Sequence, residues 1–236
     1  MATTGSRVPP LPAFIARTAI PSFPSCSSLH QFTRPLKHTF RRECCMNPDT
    51  TSQIFFEEMY RHDGDPWSFT SSPYELSRYD AIMHALSMCR YRHAFEPGCS
   101  VGVLTERLAT LCDRVDAMDI SPTAVAIARE RCSQFSHVEI QCKSLDESFV
   151  VEDIDLLVLS EIGYYFHRDR WRALATRLMT TVAPSGTILA AHWLGQSEDH
   201  RQHGDDVHDV LRSIGSISLE YSERNAGFRL DRWKKL

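Results

Sequence analysis

The run Glu96-Pro97-Gly98-Cys99-Ser100-Val101-Gly102 carries the first chemical signal in the chain. Glycines at 98 and 102 let a backbone turn tightly and approach a ligand closely, and a helix starting just beyond offers free amides. Asp119 stands 17 residues after Gly102, at the end of the next apolar run. A carboxylate there can accept both hydrogen bonds of a ribose diol, so the two features point to a cofactor containing a nucleoside. A dinucleotide fingerprint would need glycine at positions 100 and 103. Those positions are Ser100 and Val103, which disfavours a nucleotide-dependent oxidoreductase. The competing structural account is an ordinary strand-to-helix turn, with Asp119 capping a helix that begins near Pro122.

Two later runs end in reactive side chains. Ser160-Glu161-Ile162-Gly163-Tyr164-Tyr165 follows a continuous apolar stretch, and Ala190-Ala191-His192-Trp193 closes another. Ligands of open α/β sheets bind at the C-terminal ends of the strands. Glu161 and His192 are therefore candidate proton acceptors. Their alternatives are a capping carboxylate and a satisfied core histidine. Tyr164, Tyr165 and Trp193 either line a cleft or simply pack. His200, His203 and His208 alternate with carboxylates, yet a solvated loop ahead of a helix starting near Asp205 accounts for them, and no metal is expected.

The elements that must position these residues alternate. Strands are expected near 92–97, 114–119, 137–142, 154–160 and 186–193, with helices near 101–112, 122–134, 168–182 and 205–214. Two closing strands fall near 216–223 and 227–234, and helices at 51–62 and 73–88 precede the alternating part. This pattern implies a parallel sheet covered by helices on both faces, with an antiparallel hairpin at one edge.

The formal charge of −4 hides two kinds of sequence. Residues 1–42 hold six Lys/Arg and no acidic residue, which leaves −10 on the remainder. Residues 1–45 lack periodicity and read as a disordered basic leader; an organelle transit peptide and a functional start at Met46 are the other readings. The acidic remainder argues against nucleic acid as a partner. No run of about 18 apolar residues exists to span a membrane, and the cysteines read as reduced, buried residues of a cytoplasmic protein.

The 96–102 run resembles motif I of the class I S-adenosylmethionine-dependent methyltransferases, acidic-x-Gly-x-Gly-x-Gly, with Ser100 in place of the middle glycine. Asp119-Ile120-Ser121 resembles the second motif of that family, and Ala183-Pro184-Ser185-Gly186 its turn before strand five. Within it, Asp65-Pro66-Trp67-Ser68-Phe69, Ser72-Pro73-Tyr74-Glu75-Leu76-Ser77-Arg78-Tyr79 and Leu159-Ser160-Glu161-Ile162-Gly163-Tyr164-Tyr165 resemble the nodulation protein S (NodS) family over about residues 55–236. The resemblance implies a seven-stranded Rossmann-like α/β fold of order 3-2-1-4-5-7-6 with strand 7 antiparallel. It also implies a methyltransferase domain over 46–236, comprising a helical cap over 46–89 and a cofactor-binding core over 90–236.

S-adenosylmethionine is the implied cofactor. Its implied contacts are Glu96, Gly98, Cys99, Ser100, Gly102, Asp119 and Ile120. Ser144 and Leu145 would lie on the adenine side, with Asp146 as another choice. Trp67 and Arg78 would fold over the cofactor from the cap, Arg78 pairing with the methionine carboxylate; its alternative is a surface ion pair with Glu75 or Asp80. The implied reaction is N-methylation of the amino group of an amino sugar or deacetylated chitooligosaccharide. Glu161 or His192 would take the proton, and Tyr164, Tyr165 and Trp193 would face the substrate. Rivals are N- or O-methylation of another small molecule and a non-catalytic S-adenosylmethionine-binding protein, which Ser100 alone supports.

Overall fold

The computed structural model describes residues 51–147, 151 and 153–236. The basic leader and the first residues of the cap fall outside the described residues. Two helices come first, α1 (Gln53–His62) and α2 (Pro73–Leu86). Ser52 caps α1 by accepting from the Phe55 amide, and Pro73 occupies the first turn of α2, where its missing N–H costs nothing. The core then alternates β1 (Ala94–Pro97), α3 (Val103–Leu108), β2 (Val115–Asp119), α4 (Pro122–Arg131), β3 (Val138–Cys142) and β4 (Ile154–Ser160). A 3₁₀ turn (Gly163–Tyr165), α5 (Arg168–Thr181), β5 (Val182–Trp193), α6 (Gly204–Ser213), β6 (Ile217–Arg224) and β7 (Phe228–Lys235) complete it.

The strands form one sheet of order β3-β2-β1-β4-β5-β7-β6. β1 to β5 run parallel, and β7 lies antiparallel between β5 and β6. This is the class I methyltransferase fold, in the order the resemblance implied. Leu156, Leu157, Val158 and Leu159 of β4 are all fully buried, as a strand covered on both faces requires. One layer packs Trp171, Leu174 and Leu178 of α5 against the sheet. The opposite layer brings in Ile82 and Leu86 of α2 with Leu104 and Leu108 of α3. Each such buried leucine or isoleucine contributes roughly 1.5–3 kcal/mol.

Three expectations change. The turn at Ala183-Pro184-Ser185-Gly186 is instead a bulge inside β5, with Ser185 in the left-handed region (φ 60°) and the pairing with β4 shifting between Ile154 and Leu156. The helix expected over 101–112 is confined to Val103–Leu108, because Gly102 starts it from a left-handed conformation and turns follow Leu108. Of the cysteines described, Cys99, Cys112 and Cys132 are buried, but Cys89 and Cys142 are exposed. Among the described residues no helix is long and apolar enough to cross a membrane.

Candidate functional site

The turn after β1 is built from left-handed residues. Gly98 (φ 76°), Ser100 (φ 52°) and Gly102 (φ 77°) reverse the chain within five residues, and the amides of Gly98 and Cys99 both donate to the Met118 carbonyl at the end of β2. A side chain at Gly102 would place its Cβ 3.0 Å from the backbone of Ala128 on α4. Gly102→Ala is therefore expected to lower stability by about 1–3 kcal/mol, through φ strain and lost helix contact; a denaturant titration with an unchanged midpoint would refute this. Ser100, a side chain where glycine is usual, has a local reason: its hydroxyl accepts from Tyr60 Oη of α1 at 2.5 Å.

Asp119 closes the turn from the neighbouring strand. Its Oδ2 accepts from the Ser100 amide and its Oδ1 from the Ser121 amide, each at 2.9 Å. Burial pushes its carboxyl above the ordinary value, against the pull of these amides. A carboxylate has about four acceptor positions, so both oxygens retain capacity toward a ligand. Asp119 borders a cavity of about 270 Å³ together with Gly98, Ser100, Met118 and Ile120. Lys143, Ser144, Leu145 and Asp146 from the end of β3 form its next side. Aromatic rings complete it: Phe56, Tyr60, Trp67 and Phe69 from the cap, Tyr165 and Phe166 from the turn after β4. Trp67 stacks on Phe69 (5.6 Å), and Phe56 meets Tyr165 edge-on (4.8 Å).

α1 is tied across this opening. Gln53 donates to the Ile120 carbonyl at 2.9 Å. Glu57 accepts from the Ser121 hydroxyl and from both the amide and hydroxyl of Thr123, capping α4 from another helix. Partial burial opposes its charge, but these donors and Arg61 outweigh it and hold the carboxyl at about 2. A depressed carboxyl stabilises the fold above its unfolded value of 4.5, and that contribution is lost as the pH falls toward about 2. Glu57→Gln should accordingly cost about 1 kcal/mol at neutral pH and less below pH 4; thermal melts across that range test it.

Glu161 follows β4 directly, in the left-handed region at φ 56°. A non-glycine residue held there stores about 1 kcal/mol or more of strain, a feature that clusters at functional sites. Its Oε1 accepts from the Trp193 amide (2.6 Å) and its Oε2 from the Tyr164 hydroxyl (2.7 Å). Glu161 borders the same cavity as Asp119.

Several expected site residues are placed elsewhere. Glu96 is buried behind the turn, accepting from Thr105 Oγ1 at 2.7 Å, and burial pushes its carboxyl up to about 8. Cys99 and Gly102 shape the turn without bordering the cavity. Tyr164 is fully buried and does not border the cavity; its hydroxyl donates to Glu161, and its ring meets Tyr165 edge-on at 4.8 Å and stacks on His200 at 3.8 Å. Trp193 contributes its amide to Glu161, and its ring joins the α5-side core. Arg78 lies fully buried in α2, bonded to Glu75 and Ser160 and away from the cavity surface. Its partner Glu75 is one of the two expected for a surface pair, but both residues are buried.

His192 is corrected most clearly. Its Nε2 accepts from the Gly163 amide (3.1 Å), so when neutral it carries its proton on Nδ1. That proton points at His208 Nε2 (3.2 Å), which places the His208 proton on Nδ1, toward Asp231 Oδ2 at 2.7 Å. Burial holds both imidazoles below the ordinary value. The lone pair a base would need is engaged by a backbone amide, so His192 fixes the 3₁₀ turn instead of accepting a proton. His203 is engaged too: its Nδ1 accepts from the Asp205 amide and caps α6. Residues missed by pattern reading are Thr51, Ser52, Gln53, Phe56, Tyr60, Phe69, Met118, Lys143, Ile162 and Phe166. In α1 the signal was the capped apolar helix itself, whose Phe56 and Tyr60 share one face.

The arrangement suits a nucleoside with a short polar tail. A buried carboxylate offers paired acceptors, a turn without side chain at Gly98 allows close approach, and aromatic walls exclude water. A family model described as nodulation protein S (NodS) matches residues 48–199. Nodulation protein S of Bradyrhizobium diazoefficiens is 31% identical over 150 residues, covering 61% of this chain and 69% of that protein. The Sinorhizobium fredii protein of that name is 31% identical over 127 residues, 53% of this chain and 59% of its own length. Among solved structures, N-methyltransferase NodS from Bradyrhizobium japonicum in complex with S-adenosyl-L-homocysteine superposes with TM-score 0.69 at 22% identity, over 78% of this chain and 99% of that one.

Proposed function

The chain belongs to the nodulation protein S (NodS) family, and from that premise we propose that it methylates the free amino group of an amino sugar or deacetylated chitooligosaccharide, with S-adenosylmethionine as donor. The observation that supports this best is the meeting of Asp119 and Glu161 on one cavity, at the C-terminal ends of β2 and β4. When bound, S-adenosylmethionine supplies an electrophilic methyl group. Asp119 holds the ribose diol, the Gly98–Ser100 turn cradles the tail, and Ile120, Ser144 and Leu145 border the base. Trp67 and Phe56 close the cap side against water.

The acceptor nitrogen needs a lone pair, and an ammonium has none. Glu161 orients the amine through an N–H and would accept the proton released as the C–N bond forms and the sulfonium C–S bond breaks, with S-adenosylhomocysteine as the leaving group. Its two fixed hydrogen bonds spare the reorganisation that a mobile carboxylate would require. Tyr165 offers an aromatic face to a sugar ring beside it. The methyltransferase domain spans 46–236, with 46–89 as the cap and 90–236 as the core, and it works in the cytoplasm.

The test is methyl transfer from labelled cofactor to a panel of chitooligosaccharides. Mass spectrometry should find one added methyl on N-deacetylated members and none on fully acetylated ones. Equal labelling of both sets would move the acceptor to oxygen, and labelling of neither would remove this substrate class.

A further inference from the structure

Arg78 is a fully buried guanidinium that does not border the cavity shared by Asp119 and Glu161. Its Nε and Nη2 donate to Glu75 Oε2 at 3.2 and 2.5 Å, and its Nη1 donates to Ser160 Oγ at 2.6 Å. Ser160 ends β4, and Glu161 is the next residue. Neutralising Arg78 needs only Glu75, one helical turn away, yet the side chain also reaches the strand end that carries Glu161. Removing an arginine from water is costly, and such a group persists where its charge serves several partners. Burial would favour the neutral guanidine, but Glu161 first and Glu75 second hold it charged, well above its ordinary value. Interaction between two charges is mutual, so Arg78 in turn favours the ionised form of Glu161.

We propose that Arg78 is a positioning residue for methyl transfer: from outside the cavity wall it ties down the end of β4 that carries Glu161 and places a buried positive charge there. The inference rests on the role given to Glu161 above. Other groups face this cluster as well. Tyr79 of α2 has its ring 4.9 Å from the guanidinium, Glu96 of β1 feels Arg78 and Tyr79 feels Glu161. Tyr164 donates to Glu161 from the turn, and burial holds His192 of β5 below its ordinary value. Among these, Arg78 supplies the fixed positive charge.

The test reads Glu161 directly and needs no methyl acceptor. Full-length protein labelled with ¹³C at glutamate carboxyls is titrated by NMR, the Glu161 signal being identified by its loss in E161Q. Arg78→Met should raise the Glu161 midpoint by about 1–3 pH units. Arg78→Gln, neutral but able to keep a bond to Ser160, should shift it in the same direction and provides the reading where the methionine variant does not fold. Arg78→Lys should return it most of the way, which a purely structural role does not predict. Affinity for S-adenosylhomocysteine, measured by calorimetry, should stay within about threefold. An unmoved Glu161 midpoint overturns the proposal whatever the acceptor is, and lost cofactor affinity with an unmoved midpoint makes Arg78 a cofactor contact instead. Normal turnover by E161Q would remove the reading beneath it while leaving the coupling measurable.

Discussion

Asp119→Ala lowers affinity for S-adenosylhomocysteine by on the order of 100-fold, read by titration calorimetry. The estimate comes from two charge-assisted hydrogen bonds to a ribose diol, each about 1.5–3 kcal/mol, reduced because water refills the vacated space. The side chain also accepts from the Ser100 and Ser121 amides, so its loss loosens both the turn that cradles the ligand and the start of α4. Asp119→Asn separates the two contributions. An amide keeps one acceptor and presents a donor on the other side, so its affinity should fall between wild type and alanine. Since burial already raises the Asp119 carboxyl, acidification should weaken binding at a higher pH than free aspartate would predict. Binding by Asp119→Ala within threefold of wild type would show that the ribose is held elsewhere.

Glu161→Gln has the opposite signature: cofactor affinity is kept and turnover falls by about 10²–10⁴-fold, the usual worth of a positioned acid–base group. The substitution suits the site. Glutamine retains an oxygen for the Trp193 amide, and the Tyr164 hydroxyl can rotate to accept from the new amide. Charge and proton affinity are removed with little change in shape, so melting temperature should be nearly constant. The assay compares initial rates on a deacetylated chitooligosaccharide at several pH values, together with calorimetry on S-adenosylhomocysteine. Full turnover in the variant would reduce Glu161 to a structural carboxylate.

Legibility in the sequence followed the range of the interactions involved. Asp119 and Glu161 were readable because each ends an apolar strand run, and a parallel sheet presents all such ends on one edge. The order of strands came from resemblance, since periodicity alone carries no pairing information. Gln53, Phe56 and Tyr60 were not readable as cavity residues, because the seat of α1 depends on Glu57 meeting Ser121 and Thr123, more than sixty residues away. The burial of Arg78 was hidden for a related reason. Its spacing to Glu75 was visible, but its burial depends on the end of β4, 82 residues further on. His192 required two partners, His208 and Asp231, from a helix and a later strand. No local pattern around residue 192 reveals that its lone pair is already engaged.

The position of β7 has a consequence in time. β6 is made first, yet it joins the sheet only through β7, which must pair with β5 on one side and β6 on the other. Asp231 arrives with β7, so until that strand docks His208 and His192 have no acceptor at the end of their chain. The turn bearing Tyr164 and Tyr165 is thus locked only once β7, which follows every other strand in the sequence, has paired with β5. During synthesis the cofactor-side strands β1 to β4 are therefore complete before the acceptor side can be ordered.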